Sequence, residues 1–418
     1  MRLVIKEFKM PILLEKDMNI ELPKMYDVKQ LFQSTELKDI NKCMDDESNK
    51  TNIKNSIKPG QKVAIAVGSR GIRNLQQIVK NVVNIVKKMG AEPFIVSAMG
   101  SHGSGTEEGQ REVLEYYGIT EKELKVPVIT KVEVVKVGET KSGFDVYFDK
   151  VAYEADAVIP INRIKLHTDF VDDIQSGICK MLVIGLGNHI GCSQIHEEDF
   201  EKFGSIIKES AKIIINKVNI AFGVGIIENA YDQTAMVEFV ESNRIIEREI
   251  ELLKIAKKNM PRLMIPDIDI LIVEEIGKNI SGAGYDPNIL GKSYVLKEFS
   301  AVVPNIDKMI LLDITEESHG NGIGMGIFDI ITKKAFDKLN LEAMYANAIA
   351  PKILEDCKIP LIAQNEDEAI KVAIKVLRGV DKQNLKIVKI KNTLELERIS
   401  VSEALLPLVK RDENLQLI

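Results

Sequence analysis

From Lys62 onward the hydrophobic positions alternate between two periods. Residues 62–67 predict a strand whose run 63–67 is unbroken apolar, the pattern of a strand buried on both faces. Residues 74–89 then repeat apolar side chains every three to four positions, which predicts a helix laying one face on a core. Strand over 92–98 and helix over 107–117 follow. The pattern goes on to predict strands over 132–137, 145–148, 157–161, 219–225 and 235–240, with a helix near 198–218. A charged helix over 245–259, then Pro261 and Pro266, marks a boundary, giving domains of 1–265 and 266–418. Past it the alternation restarts, with strands over 267–273, 309–313, 360–363 and 386–391 and helices over 327–338, 341–350 and 367–377. A terminal helix over 402–409 is expected to pack back on the first domain. Ahead of Lys62 the pattern predicts a strand over 3–8 and, in the polar run 41–58, an exposed loop. Alternation of this kind implies an α/β fold, two domains with largely parallel sheets.

Composition narrows the function classes. A chain of 418 residues exceeds one ordinary core, and a net charge of -6 argues against a general nucleic-acid binder. No apolar run is long enough to span a membrane; the best, 213–227, is interrupted by Lys217 and Asn219. The first ten residues lack the apolar centre of a signal peptide. Cys43, Cys179, Cys192 and Cys357 are far apart, with no CxxC pair, so a reducing compartment, the cytoplasm, is expected.

The candidate chemistry is positional. Three polar clusters, 69–73, 101–102 and 165–167, each follow the end of a predicted strand, the edge where open α/β sheets bind ligands. Two of the five histidines, His102 and His167, fall there. Imidazole titrates near neutrality, so a pair of them suits proton transfer on two faces of a stereocentre; each could equally be a structural histidine. Arg73 precedes a helix whose expected N-cap is Asn74, an arrangement that could hold a carboxylate or phosphate, or leave a solvated arginine on a turn. Neither GxGxxG, HExxH nor a two-histidine-one-carboxylate run is present, which disfavours a nucleotide fingerprint and an all-protein zinc or iron site. The loop 318–324 reads either as a wall of the site or as a tight glycine turn.

Taken in order, residues 68–74, Ala98-Met-Gly-Ser-His102, Lys165-Leu-His167, Ser176-Gly-Ile-Cys-Lys180 and His196 resemble the motifs of the nickel-dependent lactate racemase family. The resemblance implies a two-domain α/β protein with its active site in the cleft between domains. The implied activity is racemisation or epimerisation at C2 of a 2-hydroxy acid, by hydride transfer to a nickel-pincer cofactor. That cofactor is pyridinium-3-thioamide-5-thiocarboxylic acid mononucleotide carrying nickel, and the implied partners are the substrate and the cofactor-synthesis enzymes. Residue by residue, His102 and His167 match the acid/base pair, Arg73 the substrate-orienting arginine and Lys180 the cofactor lysine. Ser176, Gly177, Ser69 and Arg70 fall in the cofactor-contacting stretches. His196, sixteen positions after Lys180, matches the nickel ligand, with His189 the competitor.

This chain departs from the family in three ways. Arg70 stands where the family has an aspartate, about three extra residues follow His167, and the YQxxK segment is replaced by residues 286–292. There Lys292, Asp286 and Asn288 become the candidate substrate contacts, and a larger, hydroxylated acid such as a sugar acid is expected. The alternatives are a nicotinamide-dependent 2-hydroxy acid dehydrogenase and a non-catalytic nucleotide- or metal-binding relative. A homo-oligomer is left open.

Overall fold

The computed structural model describes residue 17, residues 19–69 and residues 71–418. The strand expected over 3–8 lies outside the described residues, as does Arg70. The chain divides into two compact units, residues 34–260 and residues 1–33 with 261–418. Residues 19–33 are thus grouped with the C-terminal unit. The reason is β1 (Met25–Gln30), which pairs antiparallel with β15 (Arg398–Ser402) and β16 (Leu415–Leu417). The last helix, Leu406–Val409, lies in that same unit.

In the unit of residues 34–260 the strands are β2 (Lys62–Val67), β3 (Glu92–Ser97), β4 (Val128–Ile129), β5 (Val134–Glu139), β6 (Asp145–Asp149), β7 (Ala157–Arg163), β8 (Phe222–Glu228) and β9 (Thr234–Glu241). Six of them form one sheet in the order β4-β3-β2-β7-β8-β9, parallel except for β9. β5 and β6 make a separate antiparallel hairpin rather than joining it. β2 sits centrally and buries Val63 through Val67, which is why its sequence does not alternate. The helix Leu75–Lys88 covers one face with Leu75, Ile78, Val79, Val82, Val83, Ile85 and Val86, each such burial contributing roughly 1.5–3 kcal/mol before entropy is charged.

One stretch expected to be an exposed loop is instead helical. Helices Ile40–Ser48 and Thr51–Lys54 occupy it, Asp39 caps the first, and Ile40, Met44, Ile53 and Ile57 enter the core. Their polar neighbours face out.

The other unit carries β10 (Asp267–Ile276), β11 (Asn305–Ile314), β12 (Ile330–Thr332), β13 (Leu361–Ala363) and β14 (Ile387–Ile390). Its sheet runs β13-β12-β11-β10-β14-β15-β1-β16, parallel from β13 to β14 and antiparallel beyond. The helix expected over 327–338 is broken: β12 takes residues 330–332, and only Lys333–Asp337 is helical. Among the described residues no helix is long and apolar enough to cross a membrane.

Candidate active site at the carboxyl edge of the six-stranded sheet

The chain order of the strands reverses direction in the sheet between β2 and β7. β3 and β4 build outward from one side of that pair and β8 from the other. At such a reversal in an open α/β sheet the loops diverge beyond the carboxyl ends of the strands, where ligands bind. Ser69 and Arg73 follow β2, His102 follows β3, and Lys165 and His167 follow β7.

His102 is held by Ser69, whose hydroxyl hydrogen-bonds its Nδ1. Ser69, expected among the cofactor contacts, therefore orients a histidine. His167 is held on three sides. Its backbone N–H donates to Gln175 Oε1 (2.7 Å), its Nδ1 accepts from the Asp169 backbone N–H (3.1 Å), and its Nε2 lies 2.6 Å from Lys180 Nζ. Phe170 stacks on the ring at 4.4 Å. Two predicted site residues from different segments, His167 and Lys180, thus meet directly.

Lys180 is delivered by a strap folded back on the end of β7. Lys165 and Ser176 exchange backbone hydrogen bonds, and Asn162 Nδ2 donates to the Gly177 carbonyl (2.7 Å). Gly177 is required by close approach, since an added Cβ would stand 2.5 Å from the Glu249 carboxyl carbon. Glu249, 1% exposed, accepts the Cys179 N–H on Oε2 at 2.8 Å and so caps the segment carrying Lys180. Its Oε1 is buried without a hydrogen-bond partner, and burial pushes the carboxyl up to about 7. After Lys180 the helix widens. The Leu186 N–H reaches back five residues to Met181, making a π-turn over Met181–Gly185, a feature that recurs at functional sites. This turn docks on the strand ends: Gly100 N–H donates to the Gly185 carbonyl, and Met181 lies against Gly68. Asn188, in the left-handed region at φ 50°, restarts the helix while its amide donates to Asp149 (2.9 Å). Burial pushes that aspartate up to about 6.

His196 ends the helix Asn188–Ile195. Its Nδ1 is buried and has no hydrogen-bond partner. Phe203 meets its ring edge-on at 5.7 Å and also packs on Phe170, so His167 and His196 flank one aromatic pair. Cys192, one turn before, shares a 3.4 Å contact with Ser101 Oγ. Burial pushes the Cys192 thiol up, yet hydrogen bonds from His196 and Ser101 outweigh it and leave it below the usual range. The competing ligand, His189, is exposed and its Nε2 contacts Ser193 at 3.4 Å. No group of three or more metal-ligating side chains occurs among the described residues.

The Arg73 turn differs from expectation. Asn74 stands at the N-cap position but in the left-handed region, φ 62°, and its amide donates to Thr234 Oγ1 (3.0 Å) rather than accepting from the helix. The Arg73 backbone N–H already meets a carboxylate, Glu228 Oε1 at 2.6 Å, whose other oxygen pairs with Arg163. An external anion at this turn therefore falls to the exposed Arg73 side chain. Glu228, Arg163, Glu249 and Gln175 carry no local motif; only the fold brings them to the edge.

Asp286, Asn288 and Lys292 lie in the other unit. Asp286 caps the short helix Pro287–Leu290, accepting from the backbone and side-chain N–H groups of Asn288 at 2.9 and 3.2 Å. Asn288 is buried, and the Lys292 carbonyl accepts from Tyr285 Oη (3.2 Å). In the loop after β11, His319 takes φ 49°, and the Thr315 hydroxyl hydrogen-bonds both Ser318 Oγ and Asn279 Oδ1. The glycines of this loop are close-packed, an added Cβ on Gly324 coming 2.1 Å from the Ala283 carbonyl oxygen.

No curated protein sequence matches the chain significantly. A solved structure, the lactate racemase apoprotein from Thermoanaerobacterium thermosaccharolyticum, shares the fold with a TM-score of 0.56 at 12% identity. The match covers 89% of this chain and 99% of that one. Residues 6–212 match the sequence family described as the lactate racemase N-terminal domain. These residues hold all the edge groups described above from Ser69 to His196, and this half of the chain is a divergent lactate racemase N-terminal domain.

Proposed function

We propose that this protein is an isomerase that inverts C2 of a 2-hydroxy acid with a nickel-pincer cofactor. The observation carrying the reading is the convergence on one sheet edge of two oriented histidines and a lysine in contact with one of them. β3 and β7 flank β2, so the segments carrying His102 and His167 leave the sheet from strands about 10 Å apart, two strand spacings. One histidine takes the hydroxyl proton as C2 becomes planar, and the proton returns as the centre is rebuilt from the opposite face. Ser69 and the Asp169 N–H fix the two rings so that exchange falls to Nε2 in each. The Arg73 side chain orients the substrate carboxylate.

The residues fit the cofactor. Lys180 would hold it covalently. His196 would give the nickel its protein donor, and the buried, unpartnered Nδ1 is the kind of atom such a bond would satisfy. When bound, the group supplies an acceptor for the C2 hydrogen. Asp286 and Asn288 hydrogen-bond each other within their own turn, so the substrate is proposed only as a 2-hydroxy acid.

The test is the intact mass and nickel content of protein co-expressed with cofactor-synthesis enzymes. A covalent adduct on the Lys180 peptide, with nickel bound, is expected. An adduct on another lysine, or none, would remove the basis of the proposal.

A further inference from the structure

We propose that, before any cofactor is attached, His167 holds Lys180 as an unprotonated, nucleophilic amine, and that acylation of Lys180 releases the His167 Nε2–H for proton transfer. The second half rests on the function proposed above; the first does not.

The Asp169 backbone N–H points at His167 Nδ1 from 3.1 Å, so that nitrogen presents a lone pair. The Asp169 carboxylate oxygen is 3.9 Å from the same atom, too far to draw a proton onto it. A neutral imidazole whose Nδ1 accepts carries its proton on Nε2. Nε2 lies 2.6 Å from Lys180 Nζ, so the N–H donates and Nζ accepts. An ammonium has no lone pair with which to accept. The pair is consistent only with the free amine, or with a rearranged ring that would set two N–H groups against each other at Asp169. The surroundings favour the neutral form. Lys180 is half-buried, its neighbours Ile178, Met181, Leu182 and Val183 are buried, and Phe170 covers the imidazole. Charged groups near the pair include Asp169 and, beside Cys179, the buried Glu249.

The consequence is a coupling between loading and proton transfer. With an acyl or thioacyl donor bearing a leaving group, the Nζ lone pair forms the N–C bond. The bond to the leaving group breaks with its electron pair, and one amine proton passes to solvent; no oxidant is needed. The product nitrogen is delocalised into the amide or thioamide and no longer accepts. The Nε2–H, engaged by the amine until then, becomes available to a substrate oxygen.

The experiment uses the cofactor-free, full-length chain and trace acetic anhydride. Acetylation of Lys180 is compared by mass spectrometry with that of the exposed Lys212 and Lys217 between pH 6.5 and 9. An ordinary lysine is unprotonated to roughly 0.04% at pH 7, so the reference rates should climb about tenfold per pH unit. Lys180 should react at least about tenfold faster than they do at pH 7, with a nearly flat profile. His167→Ala should restore the climbing profile, whereas His167→Gln, which keeps a donor, should restore it only in part. A wild-type Lys180 that climbs in parallel with Lys212 would overturn the proposal, and needs no variant to do so. Nitrogen-15 spectra of labelled histidine give the independent check. His167 should be the Nε2–H tautomer, and its resonance should move on acetylation while that of His189 stays; an Nδ1–H tautomer overturns the first half, an unmoved resonance the second. Reactive Lys180 in a protein that gains no cofactor adduct would count against the proposed function and leave the pair intact.

Discussion

Replacing Glu249 by glutamine isolates one buried charge beneath the Lys180 segment. Burial raises this carboxyl from 4.5 in the unfolded chain to about 7 in the folded one. Below pH 4.5 both states are protonated and the group's contribution to stability is fully present. As pH rises through about 7, the folded state must hold a buried carboxylate and that contribution is lost. A gap of this size corresponds to about 3 kcal/mol. In a unit of some two hundred residues, Tm moves roughly 2–4 °C per kcal/mol, so the loss amounts to roughly 6–12 °C. Asp149, raised to about 6 by burial, loses stability in the same direction, so the variant must be compared with wild type at each pH. Glutamine can still accept from the Cys179 N–H but never ionises. Glu249→Gln should therefore match or fall slightly below wild type at pH 5 and melt several degrees above it at pH 8. The assay is thermal unfolding followed by circular dichroism across that range. A difference in Tm that does not change with pH would refute the reasoning, because it would mean that Glu249 titrates alike in both states.

Two further variants probe the same framework. Gly177→Ala should destabilise by about 1–3 kcal/mol, since its Cβ would press on the Glu249 carboxyl. The cost should shrink in a Glu249→Ala background, and thermal unfolding of the single and double variants reads that coupling. His196→Ala should leave the fold intact, losing only the Cys192 hydrogen bond and the edge contact with Phe203, while abolishing nickel retention by cofactor-loaded protein. Metal analysis beside circular dichroism separates the two effects, and loss of nickel in His189→Ala instead would reassign the ligand.

The parallel strands and their helices were legible because they obey one period each: β2 is apolar from Val63 to Val67, and the helix Leu75–Lys88 shows a single stripe. The clusters at the strand ends were legible for the same reason, since locating a strand locates the loop after it. Short elements escaped. Ile40 and Met44 are spaced as a helix face, but the polar run around them hid the signal. In residues 327–338, Ile330 and Ile331 belong to a three-residue strand, too short to show a period inside an otherwise helix-like stretch. β1 joins β15 across nearly the whole chain, a pairing no local pattern announces. The supports of the site escaped likewise. Glu249 meets Cys179 from 70 positions away, and Glu228 meets the Arg73 backbone from 155 away. Asn74 shows the limit of cap rules: the position was right, but Thr234 drew its side chain elsewhere.

The central claim, inversion at C2, is tested most directly by NMR of 2-hydroxy acids incubated in deuterium oxide with protein from cells co-expressing the cofactor-synthesis enzymes. Lactate, malate and several aldonic acids should be tried, with Lys180→Ala as the control. The account predicts that at least one acid loses its C2 configuration while keeping its original C2 hydrogen, and that Lys180→Ala leaves it unchanged. Extensive deuterium at C2, or inversion that survives in Lys180→Ala, would contradict it.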